Sequence, residues 1–206
     1  HAVRRIKFEE LFFAQLRLNL IKSTRHRFSK GLIFDKVGEL FNTFYNTHLP
    51  FELTNAQKRV LKEIRKDAGS GKQMNRLLQG DVGSGKTIVA ALAACQAIEA
   101  GYQVAFMAPT ELLAEQHYQK LRDWLTPLGI RLAWLSGSQK KSERSAHLSA
   151  AASDAHLVVG THALFVDTVD FSKLGLVIID EQHRFGVAQR LALRQKGNNP
   201  HQLMMS

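Results

Sequence analysis

With 206 residues, 45% hydrophobic and 22% charged, the chain has an ordinary globular composition and enough length for one core plus an accessory piece. Its 28 Lys+Arg against 18 Asp+Glu leave a net charge of +10, which points to an acidic partner, nucleic acid first, with a basic protein lacking any polyanion partner as the plain alternative. The single Cys95 excludes an internal disulfide and a cysteine-rich metal site, and the longest apolar run, Ile88 to Ile98, is too short to cross a bilayer and is interrupted by Gln96. At the basic N-terminus, Glu9 and Glu10 break the apolar pattern and no small-residue cleavage site follows, so a cytoplasmic protein is expected.

The first element is an amphipathic helix. Ile6, Leu11, Phe12, Leu16 and Leu20 recur at three- and four-residue spacing, and Arg4, Arg5, Lys7, Arg17 and Lys22 make the outer face basic. That face suits either DNA or solvent. "DKVGELFNTFYNTHLPFEL" predicts a second helix that stops before Pro50. Thr54 can cap a third helix, which "GSGK" (Gly69 to Lys72) breaks. From there short apolar strands alternate with helices. The strands are "NRLLQ", "QVAFMAP", "IRLAWLS", "HLVVGT", "LGLVIID" and "HQLMMS"; the helices run over Thr87–Ala100, Thr110–Leu125 and Gln139–Ser153, with a short turn or helix through Leu164. This alternation predicts an α/β fold with a mainly parallel sheet covered on both faces. The boundary is placed near Pro50: a helical segment over 1–50, then one α/β domain over 51–206.

The chemistry concentrates at two places. "GDVGSGKT" (Gly80 to Thr87) fits the phosphate-binding loop in full, after a strand and at the start of a helix. Gly80, Gly83, Ser84 and Gly85 let backbone N–H groups approach phosphate oxygens, and the helix N-terminus adds its partial positive charge. Lys86 can reach the β- and γ-phosphates, and Thr87 can coordinate Mg²⁺. "GSGK" at Gly69 to Lys72 is a decoy: it lacks the upstream glycine and a preceding strand, and it has Gln73 where Ser or Thr is needed. A phosphate loop needs a second strand that ends in an acid holding Mg²⁺ from the other side, and Asp180 closes "LVIID". Glu181 is placed to orient or deprotonate a water attacking the γ-phosphate. Both carboxylates stand at the strand edge where nucleotides bind in open α/β sheets.

Asp-Glu-x-His in that position resembles the signature of superfamily 2 helicases and translocases. The resemblance is close at "DEQHRFGVAQR", which looks like the RecG family of branched-DNA helicases. The sister transcription–repair coupling factors are the nearest alternative; they usually carry Glu where this chain has Gln182. "APTELLAEQH" (Ala108 to His117) resembles the family's motif Ia, "VVGTHALF" (Val158 to Phe165) its motif Ib, and "PFELTNAQKR" (Pro50 to Arg59) its adenine-reading Q motif. The match covers the α/β domain. It implies a RecA-like P-loop NTPase domain that uses ATP and Mg²⁺.

The same resemblance implies roles for further residues. Gln57 offers adenine a donor–acceptor pair, while Thr54-x-x-Gln57 also reads as a capping box, and both can hold. Thr110 opens a helix after a strand, so its hydroxyl and the following amides can bind a DNA phosphate as well as cap the helix. Thr161 is expected to contact DNA in the same way. "LSGS" (Leu135 to Ser138) reads equally as a further backbone-tracking turn or a plain loop. His183 has no second His or Cys at metal spacing, and the family makes it a relay to the strand beginning "HQLMMS". Arg184, Gln189 and Arg190 resemble positions that face DNA or a second motor domain.

In the resembled family a second RecA-like domain follows Ser206 and supplies an arginine finger, and a wedge domain precedes the motor. The chain is therefore expected to be a motor-domain fragment, weakly active alone, since such a finger is worth about 10³–10⁵ in rate. The implied partners are branched DNA (forks and Holliday junctions), those two domains and single-strand-binding protein, with no membrane. Two other classes compete. A P-loop switch or GTPase should carry Asn-Lys-x-Asp, which the chain lacks. A nucleic-acid-binding module with a vestigial ATP site is opposed by intact Lys86, Thr87, Asp180 and Glu181.

Overall fold

A computed structural model describes residues 2–28, 30–139, 141–166, 168–185 and 196–206. By compactness the chain divides between Lys30 and Gly31. The first unit is one helix, α1 (Ala2–Phe28), as the apolar periodicity predicts. Arg5 and Glu9 pair along it at 3.0 Å, and Phe8, Leu11, Phe12 and Leu16 are exposed.

The second unit begins at Gly31, well ahead of Pro50, because 31–50 share its core. Phe34 is buried and its amide donates to the Ala68 carbonyl at 3.0 Å. The expected second helix starts as α2 (Glu39–Thr43) and widens into one π-helical turn, Phe44–His48, before Pro50. Glu99 accepts from the amides of Gly38 (2.7 Å) and Leu40 (2.9 Å), capping the start of α2, whose N-cap Gly38 has no side chain to do so.

The remaining elements run α3 (Asn55–Ala68), β1 (Asn75–Leu78), α4 (Lys86–Glu99), β2 (Gln103–Met107), α5 (Glu111–Leu125), β3 (Leu132–Leu135), α6 (Lys141–Ala152), β4 (Leu157–Gly160), β5 (Leu174–Ile179) and β6 (His201–Met205). Each falls where the periodicity places it. The six strands form one parallel sheet in the order β1-β6-β5-β2-β4-β3. Central strands β2, β4 and β5 are buried throughout, whereas edge strands β1 and β3 show mixed burial. This is the signature of a sheet covered on both faces.

Successive residues of the central strands feed two cores. Val104, Phe106, Leu176 and Ile178 join α3 and α4 on one face; Ala105, Met107, Val177 and Ile179 line the other. Helix α4 is buried from Ile88 to Ala97, and its alanines allow close approach of the sheet. Because all strands are parallel, their C-terminal ends share one edge. The chain leaves that edge into the phosphate loop after β1, into Thr110 after β2, into Leu135–Ser138 at β3, into Thr161 after β4 and into Asp180 after β5.

Candidate active site

The loop between β1 and α4 is shaped by its glycines. Gly83 (φ +83) and Gly85 (φ +78) lie in the left-handed region, where a side chain is strained. The chain can therefore turn tightly enough to aim the first amides of α4 outward. The Lys86 ammonium donates to the carbonyls of Gly80 (2.5 Å) and Asp81 (3.1 Å), folding over the loop. The Gly80 amide donates to Ser206 at 3.1 Å, so the loop's first residue is tied to the end of β6. Val82 at the tip is fully exposed.

Gln57 does more than either role read from the sequence. It completes the capping box, accepting from the Thr54 amide at 2.8 Å while the Thr54 hydroxyl accepts from its own amide at 3.2 Å. Its Nε2 also donates to the Ser84 carbonyl at 2.9 Å, bracing the phosphate loop against α3. A carboxamide has two donor hydrogens and two acceptor lone pairs, so one of each remains beyond these bonds.

Across β6, Asp180 ends β5 and is 7% exposed. Its amide donates to Met107 on β2 at 2.8 Å. Its Oδ1 accepts from the Glu181 amide at 3.0 Å, and its Oδ2 lies 2.7 Å from His117 Nε2. Glu181 adopts φ 49 and ψ 50, a left-handed conformation that costs a non-glycine residue about 1–3 kcal/mol. This twist turns the chain into a short 3₁₀ turn, Gln182–Arg184, and leaves the Glu181 carboxylate 3.4 Å from His183 Nδ1. His183 and Arg184 are exposed; Gln189 and Arg190 lie outside the described residues.

The donor set suits Mg²⁺. Thr87 and Asp180 offer hard oxygen, and among the described residues no group of three or more His, Cys, Asp or Glu forms a protein cage. Mg²⁺ is typically held by one or two protein oxygens plus substrate phosphates and water. Each Asp180 oxygen has one protein donor and keeps acceptor capacity.

At the same edge, Thr110 is exposed and its hydroxyl caps α5 by accepting from the Leu113 amide at 3.3 Å. The Leu135–Ser138 loop is tied down: Ser138 donates through its amide (3.0 Å) and hydroxyl (2.7 Å) to Glu111, and the Ser136 amide donates to Gln139 at 3.1 Å. The Ser138 hydrogen bonds hold the Glu111 carboxyl below its ordinary range. Thr161 is different: it is 1% exposed and its hydroxyl has no partner among the described residues, so in this arrangement it does not face solvent.

His117 is the residue sequence reading passed over. It stands in the stripe Ala114, His117, Leu121, Leu125 that faces the core. An imidazole in an otherwise apolar stripe was the available signal.

Comparison with known proteins agrees with this geometry. The DEAD/DEAH box helicase family matches residues 54–205. ATP-dependent DNA helicase RecG of Streptococcus pneumoniae is 52% identical over the whole chain, and its Escherichia coli counterpart is 50% identical; the chain spans 30% of either relative. A solved structure of RecG bound to a three-way DNA junction superposes with a TM-score of 0.82 at 46% identity, over 96% of this chain and 26% of that one. The resemblance to RecG read from the sequence therefore extends over the full chain. A family match over well more than half of its length places the chain in the DEAD/DEAH box helicases.

Proposed function

We propose that residues 31–206, a wider span than the 51–206 read from the sequence, form the ATP-binding first motor domain of a DNA helicase or translocase that remodels branched DNA, with the preceding helix as a linker. The observation that carries this reading is the shared sheet edge. A complete phosphate loop at β1 and the Asp180–Glu181 pair at β5 flank β6, with the exposed helix cap Thr110 along the same edge. The relatives named as RecG, one of them bound to a three-way junction, favour branched DNA over other nucleic acids.

The roles follow from chemistry. Loop amides and Lys86 bind the phosphates, and Gln57 holds the loop while its remaining donor and acceptor meet adenine. Thr87 and Asp180 hold Mg²⁺, which when bound neutralises charge on the β- and γ-phosphates. Glu181 orients and deprotonates the attacking water. His183, 3.4 Å from the Glu181 carboxylate, serves as the relay between the nucleotide site and the strand that begins at His201. Thr110 binds a DNA phosphate without reading sequence. Thr161 joins it only if the turn after β4 opens. The chain spans 30% of either relative, and the resemblance to RecG supplies the further partners of the reading: a second RecA-like domain, a wedge domain and a single-strand-binding protein, with action in the cytoplasm. Among the described residues no helix is long and apolar enough to cross a membrane.

The test uses unwinding of a three-way DNA junction by a full-length protein. Glu181→Gln should keep Mg-ATP binding and lose unwinding by at least about 100-fold, the usual scale of a general base. Retained unwinding removes Glu181 from its role.

A further inference from the structure

The buried contact between α5 and the end of β5 has no part in the reading above. His117 Nε2 lies 2.7 Å from Asp180 Oδ2, and both side chains are close to 10% exposed. A carboxylate oxygen accepts, so Nε2 carries the hydrogen of this bond. The other ring nitrogen, Nδ1, is buried with no partner among the described residues. Packing alone would be better served by Leu, which completes the stripe Ala114, Leu121, Leu125 without an orphaned polar atom. Phe106 of β2 lies against the imidazole at 4.8 Å between centroids, which fixes the ring's orientation.

We propose that His117 is a positioning residue: its Nε2–H holds the Asp180 carboxylate in the rotamer that receives the cation of a metal–nucleotide complex, and so ties α5 to the nucleotide site. This rests on the reading of Asp180 as a Mg²⁺ holder. The other Asp180 oxygen is set by its own chain, through the Glu181 amide, so His117 is the one side chain from another element that orients the group among the described contacts. Helix α5 begins at exposed Thr110, and Glu111 at its first turn grips Ser138. A phosphate bound at Thr110 would sit two helical turns from the donor to Asp180, on the same helix. Outer-shell partners of this kind change metal affinity when removed.

The experiment measures Mn²⁺ binding by electron paramagnetic resonance with ATP present, alongside ATP binding in EDTA, for wild type, His117→Leu and His117→Gln. Leu keeps the apolar packing and lacks the donor; Gln places an N–H at nearly the Nε2 position. The expected result is Mn²⁺ affinity about 10–100-fold weaker for Leu, recovery to within a few-fold of wild type for Gln, and unchanged metal-free ATP binding in all three. Equal Mn²⁺ affinity in wild type and His117→Leu overturns the inference, as does a Gln variant as weak as Leu. If wild type itself binds no Mn²⁺ with ATP, the nucleotide-site reading fails and takes this inference with it.

Discussion

The chain contains the same four residues, Gly-Ser-Gly-Lys, twice. At 69–72 they end a helix; at 83–86 they begin one. In the first copy the Gly69 amide donates back to Arg65, the Ser70 hydroxyl donates to the Asp67 carbonyl, and Gly71 takes φ +71. Its polar groups are spent closing off α3 at the negative end of a helix dipole. In the second copy the chain arrives from β1, and the amides of Lys86 and Thr87 precede the first bond of α4, Ile88 to Gly85, at the positive end. Composition is identical and the electrostatic sense is opposite. An anion site is thus made by which end of a helix the glycines serve, and by the strand that feeds them.

The largest expected difference between the copies is at the lysines. Lys86→Ala should weaken Mg-ATP binding about 10–100-fold, the worth of a hydrogen bond to a charged group, whereas Lys72→Ala should leave it unchanged in the same calorimetric titration. Equal losses would erase the distinction. Next are the left-handed glycines. Gly71→Ala should cost about 1–2 kcal/mol in a denaturant melt from backbone strain alone, since its Cβ meets nothing nearer than Ile33 at 3.8 Å. Gly85→Ala should cost at least as much and also impair ATP binding, because its Cβ collides with Gln57 Nε2 and breaks the brace on Ser84.

The smallest effect is one of pH and belongs to the first copy's neighbourhood. Just beyond it, His201 accepts from the Met74 amide at 2.8 Å and donates to Leu32 at 3.0 Å. Burial lowers the His201 pKa below its ordinary value of about 6.5, with the Leu32 contact opposing. The unfolded chain then takes up a proton below that pH while the folded chain does not. Stability is full above about pH 6.5 and declines as pH falls towards the lower folded value. Tm should drop between pH 7.5 and 5.5, and His201→Gln should flatten that dependence; an unaltered slope would remove His201 as its source.

Much of this was legible before any coordinates. Strands such as "LVVG" and "LGLVII" are short apolar runs between turn residues, and the phosphate loop is local, so spacing alone identifies it. What escaped depends on the order of strands, which βα alternation leaves open. His117 and Asp180 are 63 residues apart and meet because β2 lies beside β5. Gln57 reaches Ser84 across 27 residues. Thr161 reads as exposed because it follows a strand, yet β4 lies between β2 and β3 and its end is enclosed. The twist at Glu181 has no local signal, since glutamate gains nothing from φ 49 by itself.

The position of β6 sets when the site can exist at all. Among the described residues β1 pairs with β6 alone, and β6 joins it to β5. The strand that carries the phosphate loop therefore cannot register against the strand that carries the acids until residues 201–205 are in place. Such long-range pairing folds slowly and arrives late in synthesis. The nascent chain would carry the residues of the phosphate loop and of the acidic pair for some time without an ATP site, and the site would form when this last segment closes the sheet and ties down Gly80.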